Sequence, residues 1–241
     1  MSTVKRPFDA SKIKGIVFDK DGTLLDFHAT WVPRARAAVL AVADGDQNLA
    51  LTMLQTTGYD ADENRVLGGS ILAAGNNLDI SLVWAKLANK PVSQVEALLN
   101  TMFATSEHGS SVPVKHLISS LQSLADLGLA LGVATMDSKA GIKATLGDFN
   151  CLHLFDYAVG YDSGFGSKPG PGMVLGFCQH TGLRPEQVMV VGDNTHDLHM
   201  GQSAAAGFNV GVLTGTSTRL ELEADSDLVL ESIADLAALW P

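Results

Sequence analysis

Short apolar runs alternate along this chain with stretches long enough to be helices, and few folds accommodate that alternation. Ile16 to Phe18, Leu129 to Ala134, Tyr157 to Gly160, Val188 to Val191, Phe208 to Leu213 and Asp227 to Leu230 each read as a short strand. Runs that stay apolar rather than alternating with polar residues predict strands covered on both faces, as parallel strands are. Between and after them, Val114 to Leu127, Ser138 to about Leu146, Met173 to Thr181, Thr195 to Ala206 and Ile233 to Leu239 predict helices. Strand and helix in turn predict an α/β fold, a parallel sheet with helices on both faces.

The alternation lapses once, from about Pro33 to Ala104, where no convincing buried strand occurs. Leu24 to Thr30 reads as a connecting loop, and Pro33 suits the first turn of a helix running to Ala43. Gly45 breaks that helix, and Asp46 can cap a second one to about Thr56. Asp62 to Ala74 reads as helical or turn-rich around Gly68-Gly69. Helices over Ser81 to Ala88 and Ser93 to Phe103 flank the break at Lys90-Pro91. These signals predict an all-helical insertion at 31–109 within an α/β core made of 1–30 and 110–241. A chain of 241 residues, 46% hydrophobic, is long and apolar enough for both.

Charge narrows the partners. With 26 acidic against 16 basic residues the net charge is −10, which repels nucleic acid and anionic lipid, and no run of Lys or Arg offsets it. Arg34 and Arg36 read as a solvated helix face. The acidic stretch Glu221 to Asp227 and Asp44-Gly45-Asp46 read as surface or turns. Cys151 and Cys178 are too few for a disulfide framework or a zinc site and read as reduced core thiols. No apolar leader and no membrane-length apolar stretch is present, so a soluble cytoplasmic protein, monomer or homodimer, acting on a small molecule is expected.

The chemistry gathers where apolar runs end. Phe18-Asp19-Lys20-Asp21-Gly22-Thr23 places two carboxylates one residue apart at the end of the first strand, and continued strand alternation would turn Asp19 and Asp21 to one side. Thr135-Met136-Asp137, Lys168 in a glycine-rich loop, and Gly192-Asp193-Asn194 with Asp197 follow later runs. Parallel strands bring their carboxyl ends to one edge, where ligands bind in open α/β sheets. Carboxylates from two strands suit a hard cation such as Mg²⁺, and a hydroxyl, a lysine and helix-start N–H groups suit phosphate.

This ordered set, Asp-x-Asp, Thr, Lys, Gly-Asp-x-x-x-Asp, resembles the motif signature of the haloacid dehalogenase superfamily, in its phosphatase branch and most closely its phosphoglycolate phosphatase-like members. The resemblance spans Ile16 to about Val212 and implies a Rossmann-like core with an inserted helical cap. It implies Mg²⁺-dependent hydrolysis of a small phosphate monoester through an aspartyl phosphate. By it, Asp19 is the nucleophile and Asp21 the general acid and base. Mg²⁺ is held by Asp19, the carbonyl of Asp21 and Asp193, and Thr135 with the N–H groups of Met136 and Asp137 binds phosphate. Lys168 neutralises charge on the phosphoryl group or Asp19, and Asp197, with Asn194 beside it, stands behind the metal or Lys168. His28 and, in the insertion, Asn64, Arg65 and Ser70 are further candidates for substrate contact, Arg65 for a carboxylate or second phosphate.

Two positions depart from the pattern. Met136 stands where the branch often has Asn, and Lys20 stands between the aspartates where apolar or small residues are frequent. If Asp19 and Asp21 share a side, Lys20 should point away from the site. Two rival readings keep the fold, a phosphosugar mutase and a non-catalytic module that senses a phosphorylated ligand.

Overall fold

The computed structural model describes residues 7–103 and 110–240. In chain order its elements are β1 (Gly15–Phe18), α1 (Phe27–Val42), α2 (Gln47–Thr56), β2 (Tyr59–Asp60), β3 (Arg65–Val66), α3 (Ile71–Ala74), α4 (Asn77–Ala88) and α5 (Val92–Phe103). There follow α6 (Leu117–Asp126), β4 (Ala130–Ala134), α7 (Lys139–Asp148), β5 (Tyr157–Val159), α8 (Gly172–Thr181) and β6 (Val188–Gly192). Last come α9 (Thr195–Ser203), β7 (Phe208–Val212), α10 (Arg219–Asp225) and β8 (Leu228–Leu230).

Six strands form one parallel sheet in the order β5-β4-β1-β6-β7-β8. The core is therefore the Rossmann-like α/β sheet that the alternation predicts. All residues of β1, β6 and β7 are buried, which is why these strands read as continuous apolar runs. Successive side chains go to opposite faces. Ile16, Phe18, Met189 and Val191 join Leu117, Leu121 and Leu124 of α6 and Ile142 and Leu146 of α7 on one face. Val17, Val188 and Val190 pack on the other with Met173, Val174 and Phe177 of α8 and Met200 of α9. The first strand lies at the centre, and successive strands proceed outward from it to either side. This reversal leaves a crevice at the carboxyl ends of β1 and its neighbours.

The chain forms two compact units, one from the described residues up to Asp26 together with those from Pro113 onward, the other Phe27–Val112. Within the first unit the outgoing and returning segments pair, with Leu25 bridged to Pro113 and Val114 N–H donating to Leu24 O at 3.0 Å. The second unit is helical around Trp84, which is fully buried and whose Nε1–H donates to Met53 O and Thr57 Oγ1, both at 3.2 Å. The predicted Asp46 cap is present, its carboxylate accepting from Asn48 N at 2.9 Å and Leu49 N at 3.1 Å. Among the described residues no helix is long and apolar enough to cross a membrane.

Several local expectations are corrected. The insertion is not wholly helical, because β2 and β3 form a small antiparallel hairpin too short to show a periodic pattern. Helix α1 begins at Phe27 inside the expected loop, so Pro33 lies in its interior and not in its first turn. The apolar contacts of buried Phe27 and the bond from Val112 N to Thr30 Oγ1, at 2.9 Å, hold the extra turn. His116, at φ 62°, delays α6 until Leu117. The expected last helix is two short 3₁₀ turns, Ile233–Asp235 and Ala237–Leu239, which keep Ile233 and Leu236 buried at a spacing of three. The acidic stretch Glu221 to Asp227 lies at the surface, as expected, but overlaps a helix, α10, started by a Thr218–Glu221 capping box and anchored by buried Leu222.

Candidate active site

Because β1 lies between β4 and β6, the residues that follow these three strands become neighbours although they are far apart in sequence. Phe18 is level with Val133 and Val191, and the next N–H, of Asp19, still donates to Val191 O at 2.9 Å. Asp19, Asp193 and Asp197 are all buried and offer carboxylate oxygens within 4.8 Å of one another. Lys168 reaches them from the glycine-rich loop, its ammonium bonded to Asp19 Oδ1 and lying 2.6 Å from Asp197 Oδ1.

Asp197 is held by helix geometry. Its Oδ2 accepts from Asn194 N at 3.1 Å, and Asn194 Oδ1 accepts from His196 N at 3.1 Å, so one capping box at the start of α9 orients the carboxylate that meets Lys168. Asp193 is held by residues that sequence reasoning missed. The loop after β7 supplies Thr216, whose N–H donates to Asp193 Oδ2 at 2.9 Å, and Thr214, whose hydroxyl donates to Gly22 O at 2.7 Å. A Cβ at Gly22, which sits at φ +101°, or at Gly215 would strike the Asp193 carboxylate, so two loops close on it through glycine. The signal was available: Thr214-Gly215-Thr216-Ser217-Thr218 follows an apolar strand as the other site segments do.

The turn after β1 departs from expectation. Leu24 and Leu25 N–H both donate to Lys20 O, at 2.9 and 3.0 Å, so the backbone coils immediately after Asp19 and strand alternation no longer governs direction. Lys20 does not turn away from the site. Its ammonium, only 1% exposed, lies 3.0 and 2.8 Å from the two oxygens of Asp21 and 3.0 Å from Asp137 Oδ2. Thr135 is buried, and its Oγ1 accepts from Asp137 N at 3.0 Å. That N–H is thus committed within the loop, contrary to the expectation that it would face a phosphate. As acceptor for Asp137, the Thr135 hydroxyl keeps its own proton to donate. Met136 is partly exposed beside it.

His28, Asn64, Arg65 and Ser70 belong to the other unit. His28 and Asn64 line a cavity of about 500 Å³ with Ala29, Val32, Pro33 and Arg36. Arg65 is not on its lining but pairs across the hairpin with Asp60, and Ser70 caps α3. The cation there is Arg36, whose guanidinium stands over the Tyr59 ring and donates to Asn64 Oδ1 at 3.0 Å. Arg36 stays exposed, as a solvated helix face should, but Arg34 does not: it is buried, stacks on Trp31 and donates to Ser111 Oγ at 3.2 Å.

Electrostatics in the carboxylate cluster favour a cation. Burial, reinforced by Asp197 and Asp21, pushes Asp19 up to about 7 in spite of Lys168. Burial also raises Asp193, with Asp19 and Asp197 adding to it. Burial opposes charge on Lys168, but Asp19 and Asp197 outweigh it and raise its pKa. Three buried carboxylates share one ammonium, a deficit of two positive charges. A divalent cation with oxygen ligands fills that deficit, so the donor set fits a hard metal ion.

A family model for haloacid dehalogenase-like hydrolases matches residues 13–205. The phosphoglycolate phosphatase of Salmonella typhimurium is 26% identical over 250 residues, covering 93% of this chain and 91% of its own. A crystal structure from Haemophilus somnus 129pt, described as a predicted phosphoglycolate phosphatase, has a TM-score of 0.75 at 20% identity, covering 97% of this chain and 100% of that one. CbbY from Rhodobacter sphaeroides, solved with phosphate, has a TM-score of 0.65 at 20% identity, covering 93% and 96%. The sheet order, the buried acidic cluster at its carboxyl edge and a family match over most of the chain agree, and this protein belongs to the haloacid dehalogenase-like hydrolases.

Proposed function

We propose that the protein is a Mg²⁺-dependent phosphatase of small phosphate monoesters, with phosphoglycolate the leading substrate. The observation that carries this reading is the buried cluster of Asp19, Asp193 and Asp197 with Lys168 at the carboxyl edge of the sheet. The relatives named for phosphoglycolate support the substrate.

In this reading Asp19 attacks phosphorus in line. A bond forms from its carboxylate oxygen to phosphorus, the ester P–O bond breaks, and Asp21 gives its proton to the departing alkoxide. Water then attacks the phosphorus of the aspartyl phosphate, Asp21 takes a proton from it, and Asp19 is released as a carboxylate with inorganic phosphate. Lys168 offsets charge on Asp19 and the phosphoryl oxygens, and the Thr135 hydroxyl donates to one of them. Asp19, the Asp21 carbonyl and Asp193 would hold Mg²⁺, while Asp197 and Asn194 hold Lys168 and the start of α9 in place. The ion supplies neutralisation of the charge shared by an anionic nucleophile and an anionic ester. The inserted unit is assigned as a cap, with His28 and Arg36, rather than Arg65, as its candidate polar contacts.

The test is phosphate release from a panel of esters that includes phosphoglycolate, with and without Mg²⁺, for the intact protein and Asp19→Asn. Release that needs both the ion and Asp19 is the expected result. An isomerised sugar phosphate with little free phosphate would replace the reading with a mutase, and ligand binding without turnover would replace it with a binding module.

A further inference from the structure

Lysine is rarely buried, and an ammonium taken out of water costs several kcal/mol unless it is closely paired. Lys20 is 1% exposed and fully paired, with Asp21 on one side and Asp137 on the other. Both ends of the residue are fixed, since its carbonyl accepts the N–H groups of Thr23, Leu24 and Leu25 in the turn that carries Asp21. Asp137 is equally fixed: its Oδ1 accepts from Ser138 N at 2.6 Å, its N–H donates to Thr135 Oγ1 at 3.0 Å, and its carbonyl accepts from Tyr161 N at 3.1 Å. An unbroken line of contacts thus runs from Asp21 through Lys20 and Asp137 to Thr135, joining the turn after β1 to the loop after β4.

We propose that Lys20 is a positioning residue that clamps the Asp21 carboxyl group in register with the Thr135 loop. The proposal rests on the phosphatase reading above, in which Asp21 serves the leaving oxygen and Thr135 the phosphoryl group. Two groups that must act on opposite sides of one breaking bond gain from a shared anchor, since small misplacements are costly in rate. Lys20 touches neither the ester nor the nucleophile in this scheme and acts through Asp21.

The discriminating measurement is the dependence of kcat/KM on the leaving group. An alkyl ester leaves as a strongly basic alkoxide and needs the proton of Asp21, whereas 4-nitrophenyl phosphate leaves as a weakly basic phenolate and needs little help. Lys20→Met is expected to lower kcat/KM for the best alkyl ester of the panel by about 10- to 100-fold more than for 4-nitrophenyl phosphate. Lys20→Arg should restore most of the difference, and in an Asp21→Asn background Lys20→Met should no longer change the ratio. The ratio is taken within one preparation, so a partly inactive variant does not alter it. If Lys20→Met fails to fold, Asp137→Asn removes the far end of the clamp and should give the same selective loss in smaller measure. Equal loss for both esters, no loss, or a greater loss for the aryl ester would overturn the clamp while leaving the phosphatase reading intact. Failure of the unaltered protein to turn over either ester would refute that reading and the clamp together.

Discussion

Asp19→Asn is expected to stabilise the metal-free protein at pH 8 even as it removes the nucleophile. Burial and two neighbouring carboxylates outweigh Lys168 and push Asp19 from 3.8 up to about 7. At about 1.4 kcal/mol per pH unit, that interval sets an upper limit on the order of 4 kcal/mol for the penalty of carrying the charge at pH 8. The attraction of Lys168 is already inside that interval, since it lowers the value that burial raises, and Lys168 keeps Asp197 at 2.6 Å in the variant. The variant is therefore ahead by at most about 4 kcal/mol, or up to about 8–16 °C in melting temperature for a chain of this size. The sign follows from linkage: with the folded value above the unfolded one, the folded state holds an extra proton between them. Wild-type stability therefore falls as pH rises from about 4 to about 7. The advantage of the variant should be largest at pH 8 and less than half of that at pH 5. Thermal melts of both proteins in EDTA at these two pH values measure it. A variant that melts below wild type at pH 8, or a gap of equal size at both values, would refute the reasoning and mean that the Lys168 ion pair outweighs the cost of burying the charge.

Further outcomes follow from single contacts. Gly215→Ala puts a methyl group into the Asp193 carboxylate, so the Mg²⁺ concentration for half-maximal phosphate release should rise at least about tenfold, with a stability loss of about 1–3 kcal/mol from overpacking. Asp46→Ala deletes the cap of α2 and should cost about 1 kcal/mol in a denaturant melt with phosphate release unchanged. Trp84→Phe removes the indole donor to Met53 O and Thr57 Oγ1 and should cost about 1–3 kcal/mol by the same measurement.

The core strands were legible because sheet burial on both faces leaves an uninterrupted apolar run, as at Val188–Val191 and Phe208–Val212. The hairpin Tyr59–Val66 was not, since two-residue strands carry no period, and Arg34 misled because an arginine on an alanine-rich helix looks solvated until Trp31 and Ser111 are folded against it. Thr216 was overlooked for a different reason. It acts on Asp193 chiefly through its backbone N–H, which residue type does not mark, so only its place after an apolar strand pointed to it.

By itself, the sequence determined the alternation of strand and helix, the place of the insertion and which polar residues end each strand, because these depend on local pattern and on the two-residue and 3.6-residue periods of the backbone. Only the tertiary structure decided which of those residues meet. The order β4-β1-β6 makes neighbours of Thr135, Asp19 and Asp193, and the coil after Asp19 turns Lys20 inward onto Asp21 and Asp137. Pairing between distant strands and the burial of a charge against partners more than a hundred residues away are properties of the packed chain, and no local pattern encodes them.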